Sequence, residues 1–256
     1  MGHAQRLKER DSRIRESIRA KLQTARRNTG IDVKIKPVHV MIQEGMLDDE
    51  RIAILEGASE MIRLTGEGID LADLGVWRQG EYVNSDGSLE PYKSVNWYVQ
   101  RGRERSIRNS QLNADAMLSA LEHEPWKNSE KGGKAHYDIL AVFDDMYAGG
   151  SLFVIGYGRP GVGAVISINR FKGLNKKQRI ECIKTGTMHE LGHAFGLVPD
   201  SRTEDFEYSL GKHCTNKCVM RRGINVPRDW VRMSEDRLKY GALCERCADD
   251  LKSYFG

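Results

Sequence analysis

Residues 174–196, LNKKQRIECIKTGTMHELGHAFG, carry the reading on which the fold turns. Asn175 offers an N-cap and Gln178, three residues on, completes a capping box. Ile180, Ile183, Met188, Leu191 and Phe195 then recur at helical spacing, which predicts a helix over 176–195 with one buried face. Near its end, His189-Glu190-Leu191-Gly192-His193 sets two imidazoles at i and i+4, on one side of the helix, where both reach a single ion. Glu190 projects beside that side, close enough to take a proton from a water at the ion. Zinc suits such ligands when one coordination position stays open. Gly192 weakens a helix interior and so is not a filler choice. Gly196 stands where the helix must stop and the chain turn.

The spacing alone leaves the third ligand open. A histidine three residues after Gly196 would complete the set, but that position is Pro199, and Asp200 comes one residue late. Glu204, Asp205 and Glu207 offer carboxylates, and His213 lies fourteen positions beyond the expected place. The cysteines on the C-terminal side of His213 are more specific. Cys214 and Cys218 form one short-spaced pair, and Cys244-Glu245-Arg246-Cys247 a second. Four thiolates in two pairs make a tetrahedral structural zinc site closed to water. Cys182, the fifth cysteine, reads as a small buried core residue. His39, His123 and His136 lack metal spacing and read as structural, and Trp77, Trp97, Trp126 and Trp230 read as packing residues.

Upstream, strand and helix patterns alternate. IDVKIKPVHVMI (31–42) reads as a strand, 48–64 as an amphipathic helix ended by Gly66, and 68–77 as a second strand. Residues 84–88 are turn-like, 92–110 are polar and poorly patterned, and 111–123 are helical. After the loop EPWKNSEKGGK come three strand-like runs, 136–143, 151–157 and 163–169. This order describes a mixed sheet with helices on it, an α+β fold with an α/β-like upper lobe. Three parts are expected: an arm over 1–30, an upper lobe over 31–196 bearing the sheet and the histidine helix, and a lower lobe over 197–256.

The chain has 256 residues and a net charge of +4. Nine basic and three acidic residues fall within the first thirty, so that arm carries +6 and the remainder −2. Its helical spacing (Leu7, Ile14, Ile18, Leu22, Ala25) fits a docking helix, a prosegment or a basic arm for nucleic acid. No apolar run approaches the length needed to span a bilayer, and the N-terminus lacks an apolar signal core. The expected location is therefore cytoplasmic, where cysteines stay reduced and serve metals.

Taken together, His189-Glu190-x-x-His193-x-x-Gly196, His213-Cys214, Cys218-x-Met220 and Cys244-x-x-Cys247 resemble the archaemetzincin signature. SLFVIGYGRPGVGAVISINRF, before the helix, and the tail LCERCADDLKSYFG are also similar to that family. Two departures are visible: Leu197–Lys212 intervenes before His213, and the first cysteine pair is one residue tighter. The resemblance implies a metzincin, zincin-like fold, with a twisted mixed sheet, an active-site helix and a small zinc-stabilised C-terminal lobe. It implies two zinc ions, a catalytic one on His189, His193 and His213 and a structural one on Cys214, Cys218, Cys244 and Cys247. Glu190 matches the general base and Met220 the methionine under the site. The implied activity is that of a zinc metallopeptidase on peptide or protein substrates, with the strand near 151–157 or 163–169 as the edge that pairs with an extended peptide. Two other classes remain: a non-catalytic zinc-stabilised binding module that uses the basic arm, and a zinc hydrolase with Glu204 or Glu207 as ligand.

Overall fold

The computed structural model describes residues 34–83, 88–122, 135–209 and 211–256. The arm 1–30, the tip of the 84–88 turn, His123, Trp126 and the loop after it lie outside the described residues. Ile35–Gly256 form one compact unit. Its centre is a five-stranded sheet in the order β2-β1-β6-β9-β8, with β1 Val38–Ile42, β2 Leu71–Gly75, β6 Tyr137–Val142, β8 Gly156–Arg159 and β9 Gly163–Ser167. β2, β1, β6 and β9 run parallel, and β8 closes the edge antiparallel to β9. Burial on both faces explains why β6 and β9 read as near-continuous apolar runs, interrupted only by Asp138 and Ser167, rather than alternating ones.

One face is covered by α1 (Asp48–Thr65) and α4 (Lys176–Ala194). Val38, Val40, Ile42, Ile139 and Ala141 meet Ile54, Ala58, Met61, Ile183, Leu191 and Phe195 there. The two helices cross closely: a Cβ on Gly57 would stand 2.6 Å from the Lys184 carbonyl oxygen. Ion pairs Arg179–Glu50, Lys184–Glu56 and Lys176–Asp49 line the same contact. The other face carries α2 (Asn96–Glu104) and α3 (Ala114–Glu122), whose Tyr98, Val99, Met117, Leu118 and Leu121 pack on Met41, Leu140, Val142 and Val165. A hairpin of β3 (Trp77–Val83) and β4 (Leu89–Ser94) precedes α2, and a short parallel pair joins β5 (Leu112–Asn113) to β7 (Met146–Tyr147). After α4 come a second hairpin, β10 (Phe206–Tyr208) with β11 (Lys212–Cys214), and the helices α5 (Arg228–Tyr240) and α6 (Glu245–Phe255). No helix among the described residues is long and apolar enough to cross a membrane.

Several expectations shift. The first strand starts only at Val38, after Pro37, and the run 68–77 divides into β2 and the start of β3. The stretch 92–110 contains α2: its buried stripe is only Tyr98, Val99 and Gly102, too narrow to show among its charges. The strand expected at 151–157 begins at Gly156, because Leu152 is 81% exposed and Val154 makes only a bridge to Met146. Of the two candidates for the free edge, 163–169 is excluded, since β9 lies between β6 and β8. The insertion Leu197–Lys212 is partly ordered into the body among its described residues. Leu197, Val198, Arg202 and Lys212 are buried, and the segment forms most of the β10–β11 hairpin.

Candidate metal centre

α4 starts as its sequence dictates: the Asn175 side chain accepts from the Gln178 N–H at 3.0 Å. It ends at Gly196, whose φ of 72° is left-handed and over which the Tyr254 ring packs. His189 and Glu190 are buried in its last turns. The His189 Nδ1 donates to the Val219 carbonyl at 2.6 Å, which leaves Nε2 directed at His193, 3.2 Å from that ring's Nε2. Two nitrogens bound to one tetrahedral ion at about 2.0–2.1 Å stand about 3.3 Å apart, so this spacing would fit a ligand pair. His213 stacks on His189 with ring centroids 5.2 Å apart, and one donor atom from each of the three histidines lies within 4.8 Å of the others. Asp200, Glu204, Asp205 and Glu207 do not join that group. Burial, with His213 beside it, pulls His189 down to about 3. Burial and the neighbouring rings hold His193 well below the ordinary value, and burial lowers His213. At neutral pH all three rings are uncharged, the form that binds metal.

β11 explains how two adjacent residues reach two different places. Successive strand residues point to opposite sides, so His213 faces the histidines of α4 while Lys212 and Cys214 turn inward. The Lys212 Nζ donates to the carbonyls of Asp200 at 2.7 Å and Arg202 at 2.8 Å, tying the intervening loop to the strand that carries His213. Cys214, Cys218, Cys244 and Cys247 place their sulfurs within 4.8 Å of one another. The Cys214–Cys244 and Cys218–Cys247 separations are both 3.7 Å. Sulfurs at about 2.3 Å from a tetrahedral ion stand about 3.8 Å apart, so the four thiols fit a closed dication site. Hydrogen bonds from Cys218 and Cys247, aided by Asn216 and Arg202, pull Cys214 down to about 2, while its nearness pushes Cys218 up to about 12 and Cys247 further. One thiolate makes the next costly, and a dication removes that cost. Cys244 is the N-cap of α6.

Glu190 sits between α4 and the sheet edge. Burial pushes its carboxyl up to about 8 against a backbone hydrogen bond from Gly158. Its Oε1 is 3.9 Å from the His189 Nε2. β8 approaches so closely that a Cβ on Gly156 would stand 2.2 Å from the Glu190 Cδ, and one on Gly158 2.7 Å from the Glu190 carbonyl oxygen. Met220 is fully buried beneath the helix, where a Cβ on Gly192 would stand 2.4 Å from its Sδ. Gly192 is thus the seat of the methionine. Sequence reasoning takes Trp230 only as a packing residue and passes over its place at the site, where its ring stands edge-on to His189 at 5.4 Å. It also passes over Arg202, which donates to the Cys214 and Cys247 sulfurs. The alternating glycines 156 and 158 are a visible signal, because glycine in a strand marks close backbone approach. Nothing in the sequence singles out Arg202.

No family model matches the chain. The archaemetzincin of Nanoarchaeum equitans is 33% identical over 110 residues, which cover 43% of this chain and 49% of that protein. The archaemetzincin of Methanopyrus kandleri is 32% identical over 126 residues, 48% of this chain and 60% of that protein. The match therefore spans only about half the length of these curated relatives. The crystal structure of the Methanopyrus kandleri archaemetzincin superposes with a TM-score of 0.55 at 20% identity, covering 88% of this chain and 97% of that one. That of the Archaeoglobus fulgidus archaemetzincin, complexed with malonate, gives a TM-score of 0.50 at 19% identity, covering 84% and 99%. The mixed sheet, the histidine helix beneath its edge and the cysteine cluster behind it belong to a chain that is archaemetzincin-like in both fold and sequence.

Proposed function

We propose that this chain is a zinc-dependent metallopeptidase that hydrolyses peptide bonds in peptide or protein substrates. In this reading His189, His193 and His213 hold the catalytic zinc, and Cys214, Cys218, Cys244 and Cys247 a structural one. The division at residues 196 and 197 separates a lobe that bears the sheet from a lobe that the cysteines stabilise. When bound, the catalytic ion supplies a polarised water and a positive charge for the scissile carbonyl. Glu190 supplies the proton handling: it takes the water's proton and delivers it to the leaving amine. A carboxyl that burial has raised to about 8 in the bare site holds that proton readily, and a nearby dication lowers it toward a working base. β8, the antiparallel free edge beside Glu190, offers its backbone to an extended peptide.

The observation that carries the reading is the buried Glu190 carboxyl beside the histidine cluster and against the sheet edge. A structural metal site has no use for an acid at that place. Glu190→Gln keeps the shape and removes the base. We expect it to bind as much zinc as the wild type and to cleave a peptide library at least ~100-fold more slowly. If zinc-loaded wild-type protein cleaves no member of the library, the same site is that of a binding module and the catalytic reading fails.

A further inference from the structure

A third group of side chains of metal-ligating type lies on the face of the sheet opposite α4. His39 on β1 stands directly across from Asp138 on β6 in the parallel register. His136 precedes Asp138 by two residues and so shares its side of the chain. Met41, Leu140 and Val142, in phase with these residues, pack under α2 and α3, whereas Val38, Val40 and Ile139 face α4. One donor atom from each of His39, His136 and Asp138 lies within 4.8 Å of the others. Asp138 and His136 are buried, and His39 is half-buried.

We propose that His39, His136 and Asp138 form a further metal site, one that takes a first-row transition dication such as zinc. The His136 Nε2 and the Asp138 Oδ2 are 3.4 Å apart, longer than the 2.7–3.2 Å of an ordinary N–H···O bond. That distance is close to the roughly 3.3 Å edge of a tetrahedron of nitrogen and oxygen ligands around zinc. The rings of His39 and His136 lie with centroids 4.3 Å apart and 19° between their planes. The strand positions that flank the row carry no bulk: Ala72 lies opposite His39 on β2, and Gly163 lies opposite Asp138 on β9. Two imidazoles and a carboxylate select zinc, iron or cobalt over magnesium or calcium, and three donors leave a position for water. Linear spacing hides the site, because a parallel crossover of about a hundred residues separates His39 from its partners.

The test is the difference in bound zinc between wild type and His39→Gln, measured by elemental analysis after zinc loading and desalting. His39 is only half-buried, so its replacement leaves the core intact, and a circular-dichroism spectrum and melt check that. We expect His39→Gln to hold one zinc fewer per chain, and Asp138→Asn to match it. Cobalt substitution should show the absorption of a nitrogen–oxygen site in wild type and lack it in His39→Gln. Equal zinc content in wild type and folded His39→Gln would overturn the proposal, however many ions the other two sites take.

Discussion

Arg202 forks between two sulfurs. Its Nη1 donates to the Cys247 Sγ and its Nη2 to the Cys214 Sγ, both at 3.3 Å, and Nη1 also meets the Asp250 carboxylate at 3.0 Å. Four thiolates around a dication, as proposed, would carry a net double negative charge, and a guanidinium buried at 4% exposure would offset part of it. The planar fork matches two acceptors at once, which an ammonium does not. We expect Arg202→Gln to release zinc from the cysteine site at least ~10-fold faster to a chromogenic chelator, and Arg202→Lys to recover only part of that loss. Residues differ sharply in how legible they are. His189, Glu190 and His193 can be read directly, because helical periodicity converts their spacing into a shared face. His213 can be read only through the cysteines behind it, since the residues between it and α4 fold in a way that spacing does not encode. Arg202 cannot be read at all: its sulfur contacts come from the packing of its loop against α6.

β8 and α4 meet through backbone rather than side chains. At Gly158 an added Cβ would press on the Glu190 carbonyl oxygen and the His193 Cβ, neither of which can swing aside. The strand must then lift from the helix. We expect Gly158→Ala to destabilise the fold by about 1–3 kcal/mol in a thermal melt, as overpacking does, and to slow the proposed hydrolysis by moving the sheet edge from Glu190. Gly150→Ala, where an added Cβ meets nothing within 4 Å, serves as the neutral control. A stable, fully active Gly158→Ala would show that the edge plays no part in substrate alignment. The elements themselves are legible in proportion to how much of each is buried. α1, α4, β6 and β9 carry long apolar patterns and appear where the sequence puts them. α2 shows only a narrow buried stripe, and β8 is half glycine, so hydrophobic periodicity has little to register at either.

Across the whole molecule, the two candidate metal sites of the C-terminal half share one piece of chain. Cys218 offers its sulfur to the thiol cluster, the next carbonyl, that of Val219, orients His189, and Met220 lies against Gly192. The Cys214 N–H donates to the Met220 carbonyl at 2.9 Å, and the Val219 N–H to that of Ala242 at 2.8 Å, so this piece is braced to β11 and to the approach to α6. His213 sits on the same β11, one residue from Cys214. Loss of the thiol cluster would therefore loosen three supports of the histidine site at once: its proposed third ligand, the carbonyl that fixes His189, and the methionine below. We expect Cys218→Ser to lower zinc affinity at the histidine site as well as at its own. Zinc titration should show it as loss of both ions rather than one, with the sheet and α1 still giving a folded far-ultraviolet spectrum. The converse variant, His193→Ala, should lose only one ion, because nothing in the thiol cluster leans on that ring. If Cys218→Ser keeps the histidine-site zinc at wild-type affinity, the two sites are independent and the shared segment is only a connection.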